Sequence, residues 1–402
     1  MVFAFGVILF ALGITVSIAL HEAGHMWTAR ATGMKVRRFF VGFGPRVFSF
    51  RRGETEYGLK AIPAGGFCDI AGMTALDELA PDEIDRAMYR QKTWKRLVVM
   101  MGGIGMNFVL GFVLIFVLAV GWGLPNLDPG AVVAETPCVA PTQNEDLTFS
   151  DCSGSSPASL AGIRPGDVIT SVGGTETETF SDVVDAVQPL SGTVDFVVER
   201  DGQELTLPVQ IQQVQRWVTD GTEDGLRSVT VGAVGVSRAV VGPTQYNALA
   251  AVPASFAFTG EMFVETAQRL VEMPSKVAAL WRSITGGERD LDTPISVVGA
   301  SVIGGQLVEN SMWPVFVLLL ASLNFFLGIF NLLPLLPLDG GHMAVTVYER
   351  IRNFFRNRRG LPNGGPVDYM KLMPATYVVI VIGGAFMLLT LTADIVNPIQ
   401  LF

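Results

Sequence analysis

The chain has 402 residues, half of them hydrophobic, with 28 basic against 37 acidic side chains and a positive mean hydropathy. It is too apolar for an ordinary soluble enzyme, and a net charge of −9 argues against a nucleic-acid partner. Length and composition together point to a polytopic α-helical membrane protein with more than one domain.

The first element is an apolar run from Val2 to Leu20 that continues into "HEAGHM" and predicts a transmembrane helix over about 2–30. Nothing basic precedes Arg30 and no small-residue cleavage site follows, so the run reads as a retained helix rather than a signal peptide. Residues 36–70 alternate bulky and small side chains around turn signals at Gly44-Pro45 and Arg52-Gly53, which predicts a β-rich, membrane-associated hairpin segment. Polar text at helical spacing predicts a cytosolic helix over 74–93, and a second span follows over about 95–122. These elements, residues 1–123, form the first half of a membrane core.

Residues 124–245 contain a small β-rich module over about 155–236, punctuated by Pro-Gly-Asp, Gly-Gly and Asp201-Gly202 turns. Cys138 and Cys152 lie in this region; a bridge would close a loop of about 15 residues for roughly 3 kcal/mol, and sequence alone leaves its formation open. Cys68 reads as a small buried hydrophobe in preference to a ligand or redox role. From 246 to 311, helical patterns broken by Pro274, Gly286-Gly287 and Pro294 predict amphipathic elements on the outer surface. The second half of the core, 312–402, holds spans over about 312–345 and 373–394, four in all.

Charge orients these spans. Thirteen basic residues fall between Arg30 and Arg96 and six between Arg350 and Lys371, which makes both loops cytosolic. Between 124 and 312, nine basic residues face 24 acidic ones, as suits an extracytoplasmic region, so both termini are expected outside.

The chemistry sits in two places. "HEAGH" puts His21 and His25 one turn apart on one helix face, where two imidazoles can grip a zinc ion, with Glu22 beside the metal as a general base. Ionisable side chains within a span are costly and mark function. The third span ends in "NLLPLLPLDGGH", where Pro334 and Pro337 break the helix and Gly340-Gly341 allow close backbone approach. Asp339 is the natural third ligand of a catalytic site with an open position, and an N-cap role is compatible with that. His342, three residues on, reads as an ordinary packed or exposed histidine, with support of a metal ligand as the alternative. Asn324, about two turns before Asn331, reads as cavity lining or as helix-packing glue.

HExxH in the first span, "IPAGGF", "GGIGMN" in the second span, "AGIRPGDVI" and the NxxPxxxLDGG pattern in the third resemble the site-2 protease family of intramembrane zinc metalloproteases. The similarity is to its bacterial, anti-sigma-factor-cleaving branch in the actinobacterial form. Where relatives often have Gly-Pro this chain has Gly103-Ile104, which puts the local helix near Asn107 in question.

The resemblance implies one Zn2+ held by His21, His25 and Asp339, Glu22 as catalytic base and Asn331 as a transition-state or substrate-binding group. It also implies an inserted PDZ-like α+β domain. The expected substrates are single-pass membrane proteins, of anti-sigma-factor type already trimmed by a first protease, cut within a lipid-embedded site nearer the cytosol. An unwound substrate needs backbone partners, so residues 54–67 are expected to pair with it as a strand through Tyr57, Leu59, Ala61, Gly65 and Gly66. Two other classes compete: a non-catalytic membrane adaptor presenting the β-rich module, and a zinc transporter. A transporter needs a polar route to both faces, which the outer halves of the spans do not offer.

Overall fold

In the computed structural model, the residues described are 1–126, 130–144, 148–219, 226–239, 242–287, 289 and 292–402. The first helix, α1, spans Val2–Ala31; two long strands follow, β1 (Val36–Arg52) and β2 (Thr55–Ile70), and then α2 (Thr93–Gly121). Next come β3 (Val133–Glu135), α3 (Pro157–Leu160), β4 (Val168–Val172), β5 (Thr175–Glu176), α4 (Phe180–Val187), β6 (Gly192–Arg200), β7 (Gln203–Thr219), β8 (Leu226–Ala233) and β9 (Ser237–Arg238). The chain then returns to helices: α5 (Ala248–Glu272), α6 (Val277–Ile284), α7 (Val297–Glu309), α8 (Trp313–Asn331), α9 (Asp339–Arg358) and α10 (Met373–Val396).

The chain divides into two compact units. One contains residues 1–124 and 245–402, the other residues 125–244. Among the described residues, α1, α2, α8 and α10 are long and apolar enough to cross a membrane.

In the helical unit, α1 packs on α2 and α7, and α2 packs on α8 and α5. Helices α5 and α7 do not simply lie on the surface as amphipathic pieces. Ala251, Phe258 and Met262 of α5 are buried against Ile115 and Phe325, while Leu307 and Val308 of α7 share a core with Phe10 and Ile14. Gly304 and Gly305 let α7 approach α1 closely, which small residues permit between apolar helices. The expected span over 312–345 is two helices: α8 stops at Asn331, before Pro334, and α9 starts at Asp339 and runs on to Arg358. A nearly buried ion pair, Arg96 with Glu349, ties the first turn of α2 to α9.

β1 and β2 each bend once, so four short runs make one mixed sheet in the order 66–70, 36–41, 56–60, 48–52, antiparallel at the two outer pairings and parallel between 38–41 and 56–59. The expected helix over 74–93 is absent; only single turns of 3-10 helix form, at Ile84–Arg86 and Met88–Arg90. The reason is Arg37, whose guanidinium binds the Asp77 and Glu83 carboxylates and the Glu78 carbonyl, while Asp77 also accepts from the Gly72 amide. Side-chain bonds of this kind compete with a helix for the same backbone.

The second unit is a five-stranded sheet in the order β5-β4-β6-β7-β8, with α4 laid on one face through Val183 and Val187. Thr179 and Asp182 form a capping box at the start of α4. Cys138 and Cys152 are joined as a disulfide, their Cα atoms 5.8 Å apart.

Candidate metal centre

The site begins with a helix crossing. A Cβ on Gly24 would lie 2.1 Å from the Gly102 carbonyl oxygen, so only glycine allows α1 and α2 to approach this closely. The crossing aims one stripe of α2, residues Val99, Gly103 and Asn107 spaced by four, at the HEAGH face of α1. His25 Nδ1 donates to the Val99 carbonyl at 2.8 Å. Its proton is therefore on Nδ1, which leaves the Nε2 lone pair free. At the other end of the stripe the Asn107 side-chain amide lies 3.1 Å from His21 Nδ1. Between them Gly103 sits under both rings: a Cβ there would fall 2.3 Å from His25 Nε2 and 2.8 Å from His21 Nε2.

Asp339 arrives from the opposite half of the chain. After α8 ends, residues 332–338 fold back so tightly that a Cβ on Gly340 would lie 2.3 Å from the Leu332 carbonyl oxygen. Asp339 thus opens α9 with its carboxylate directed at the histidines; the N-cap position belongs to Leu338. Its Oδ2 is 3.2 Å from both His21 Nε2 and His25 Nε2, and the two Nε2 atoms are 3.1 Å apart.

Three electron-rich atoms thus form a nearly equilateral triangle, and Asp339 Oδ2 is buried without a hydrogen-bond partner. With both rings neutral, such an arrangement is repulsive unless a cation sits among the three atoms. Donors about 2.0–2.2 Å from a tetrahedral zinc lie about 3.3–3.5 Å from one another, close to the spacing here. The residues fit a zinc ion, with two imidazoles and one carboxylate as ligands and a fourth position open. His21, His25 and Asp339 are also the one group of three or more His, Cys, Asp or Glu side chains found among the described residues with ligand atoms close enough to share a metal.

Glu22 lies beside the triangle. Its carboxylate accepts the backbone amide of Cys68 and interacts electrostatically with His21, His25 and Asp339. That contact brings the outer edge of the sheet, residues 66–70, against the site, and a Cβ on Gly66 would lie 3.2 Å from Glu22 Cγ.

The other expected site residues are placed as follows. Asn331 turns its amide back to the Leu327 carbonyl at 3.0 Å. Asn324 is fully buried and donates to Ser17 Oγ at 3.1 Å, which makes it glue between α8 and α1. His342 stacks on Tyr369 and bonds its hydroxyl at 3.2 Å.

The expected substrate strand needs correction. Tyr57 pairs with Phe39 on one side and Phe50 on the other, and Leu59 pairs with Val41 and Phe48. Their backbone groups are already used in the sheet interior, so no added strand can reach them. Ala61 is exposed beyond that ladder, and of the five expected residues only Gly65 and Gly66 lie towards the run that flanks Glu22. Sequence reasoning missed Val99 and Gly103 and gave Asn107 no role, although their four-residue spacing in "VVMMGGIGMN" is a readable stripe.

Comparison with known proteins gives concordant matches. A profile of peptidase family M50 matches residues 9–374. The chain is 56% identical over 404 residues, all of both chains, to the zinc metalloprotease Rip1 of Mycobacterium bovis BCG. It is 54% identical over 409 residues, again the whole of both, to the zinc metalloprotease Rip1 of Mycolicibacterium smegmatis. With the metalloprotease MmpA of Caulobacter vibrioides it shares 26% identity over 382 residues, 86% of each chain.

Proposed function

This chain belongs to peptidase family M50, and from that premise we propose that His21, His25 and Asp339 hold its zinc while Glu22 serves as the general base of peptide hydrolysis. The protein is an intramembrane zinc metalloprotease acting on membrane-protein substrates. The observation that carries the residue assignment is the triangle of two Nε2 atoms and one carboxylate oxygen, 3.1–3.2 Å on a side, built from segments more than 300 residues apart in the chain.

A bound zinc supplies Lewis acidity and lowers the pKa of its water towards about 7. The chain's own groups do the rest. The Val99 carbonyl and Asn107 orient the two rings, Glu22 takes the water's proton and returns it to the leaving amine, and the Cys68 amide holds the Glu22 carboxylate in place. Asn331 is proposed to meet the developing oxyanion once a substrate displaces its amide from Leu327. The free edge of residues 66–70 is proposed to pair with the unwound substrate, which puts the scissile bond beside Glu22.

Basic loops at both ends of the α1–α2 and α8–α10 connections support a cytosolic placement of that side, with both termini extracytoplasmic. Residues about 155–236, read as a PDZ-like domain, are proposed to recognise or filter substrates, which we infer to be single-pass proteins of anti-sigma-factor type already trimmed outside.

The test is cleavage of a single-span substrate in detergent or liposomes, with zinc content measured on the same samples. Glu22→Gln is expected to keep about one zinc per chain and lose cleavage by about a hundredfold or more. His21→Ala and Asp339→Ala are expected to lose both. Cleavage by Glu22→Gln at the unmodified rate would overturn the assignment.

A further inference from the structure

We propose that the cleft between the sheet turn at Gly53 and the end of α1 remote from Met1 binds the phosphate headgroup of an anionic membrane lipid. The cleft, about 660 Å³, is lined by Trp27, Arg30, Arg52, Glu54, Tyr57 and Arg86. Glu54 is committed, with both oxygens held by the Arg86 guanidinium at 2.6 and 2.7 Å. Arg30 donates to Thr55 Oγ1 and lies over the Tyr57 ring, and neither it nor Arg52 forms an ion pair among the described residues. Two guanidiniums outside any ion pair among the described residues, Arg30 within electrostatic reach of the already committed Glu54, face one pocket whose lining carries a net charge of about +2, which suits a phosphodiester.

The position of the cleft selects the source of that phosphate. Phe5, Val16 and Trp27 recur every eleven residues, close to three whole helical turns, and all three are exposed, as are Ile8 and Leu12 between them. This stripe faces lipid in a spanning helix, and it ends in an indole, the side chain that favours the headgroup level. Arg30 stands one turn further on, at phosphate depth. The run of strand that leads to Arg52 also exposes Val47, Phe48 and Phe50, a mixture of apolar and basic side chains that suits the bilayer interface. A lipid can place its acyl chains along the α1 stripe and its phosphate between Arg30 and Arg52.

The proposal rests on α1 crossing a bilayer and not on the metal chemistry, so zinc content serves as an independent check of the fold. Full-length protein is reconstituted in nanodiscs of phosphatidylcholine with graded phosphatidylglycerol, and retained lipid is counted by native mass spectrometry. Preferential retention of phosphatidylglycerol is expected, with a loss of about tenfold in Arg30→Gln/Arg52→Gln and a smaller loss in Arg52→Gln, whose side chain supports nothing in the fold. Arg51→Gln removes the same charge from the neighbouring position outside the cleft and should leave retention within about twofold. Equal retention of phosphatidylcholine would overturn the proposal, and so would an Arg51→Gln loss as large as that of Arg52→Gln, which would mean diffuse attraction. Displacement of the lipid by millimolar inorganic phosphate would assign the cleft to a soluble phosphate instead.

Discussion

Asn107 and His21 meet across the α1–α2 crossing, the side-chain amide 3.1 Å from the ring Nδ1. Asn107 is 1% exposed, and its Oδ1 has no partner while its nitrogen faces the ring. A ring that offers the Nε2 lone pair to a cation must carry its proton on Nδ1, and that proton needs an acceptor. Turned about its last bond, the Asn107 amide supplies one, and both imidazoles are then held in the ligating tautomer, one by a carbonyl of the backbone and one by a carbonyl of a side chain. Asn107→Leu fills a similar volume without an acceptor. Its zinc affinity, measured by competition with a chelating dye, is expected to fall by about 10–100-fold. Asn107→Asp, which keeps the acceptor, is expected to recover most of it; equal affinity in Asn107→Leu and the parent would remove the orienting role.

Gly103 carries a second prediction, because a methyl group at that position occupies the space the two Nε2 atoms face. Gly103→Ala forces both rings off their positions, and zinc bound per chain is expected to drop below about a fifth of the parent's with cleavage lost in proportion. Gly105, two residues on in the same helix, has nothing within 4 Å of a built Cβ. Gly105→Ala is therefore expected to bind zinc and cleave as the parent does. If both alanines behave alike, the loss is a general effect of altering α2 and not of crowding the metal.

The contrast between those two glycines also shows what the sequence could convey. Apolar runs marked the four long helices because a span must satisfy its backbone internally, and His21, His25 and Asp339 were visible as polar groups where polarity is expensive. Which glycine lies under the two imidazoles depends on the α1–α2 crossing angle, a tertiary quantity that spacing alone does not specify. Residues 74–93 misled for a related reason: their helical periodicity is overridden by Arg37, some forty positions earlier in the chain. Tyr57 and Leu59 resemble edge positions in the sequence because the extra bend in each strand, which pairs their backbone on both sides, leaves only glycines as its trace.

The free edge beside Glu22 gives a third prediction. Cys68 turns its amide to the Glu22 carboxylate, so the period-two alternation of a strand turns the Gly66 amide to the same open side. Gly66→Pro deletes that outward donor, and Gly66→Ala, which adds the same Cβ 3.2 Å from Glu22 Cγ but keeps the donor, is expected to cleave better than the proline variant and so separates the lost bond from crowding of Glu22. In Gly66→Pro, zinc content is expected to be unchanged and cleavage of a transmembrane substrate reduced by about tenfold or more, since each backbone bond to an unwound helix replaces one lost in it. Tyr57→Phe, in the sheet interior, is expected to cleave normally. Undiminished cleavage by Gly66→Pro would exclude strand addition at this edge.

The connection from 71 to 90 should respond to acid in a defined window. Glu83 is 6% exposed and accepts from the Arg37 guanidinium, which holds its carboxyl down to about 2 from an ordinary value of 4.5 against the opposing effect of burial, with the Ala80 amide and Lys35 assisting. A carboxyl whose folded value is depressed contributes stability that is fully present above its unfolded value and is lost as pH falls through the folded one. Amide exchange in residues 71–90, measured on the solubilised protein and corrected for intrinsic rates, is therefore expected to be level from pH 8 to about 5 and to rise as pH drops from about 4.5 towards 2. Removing the guanidinium changes the pattern and not only its size. In Arg37→Gln the Glu83 carboxyl loses its main partner and returns towards its ordinary value, so fast exchange is expected already at pH 7, with little further change on acidification. A parent protein whose 71–90 segment exchanges at the same corrected rate at pH 7 and pH 3 would show that this ion pair does not hold the connection in place.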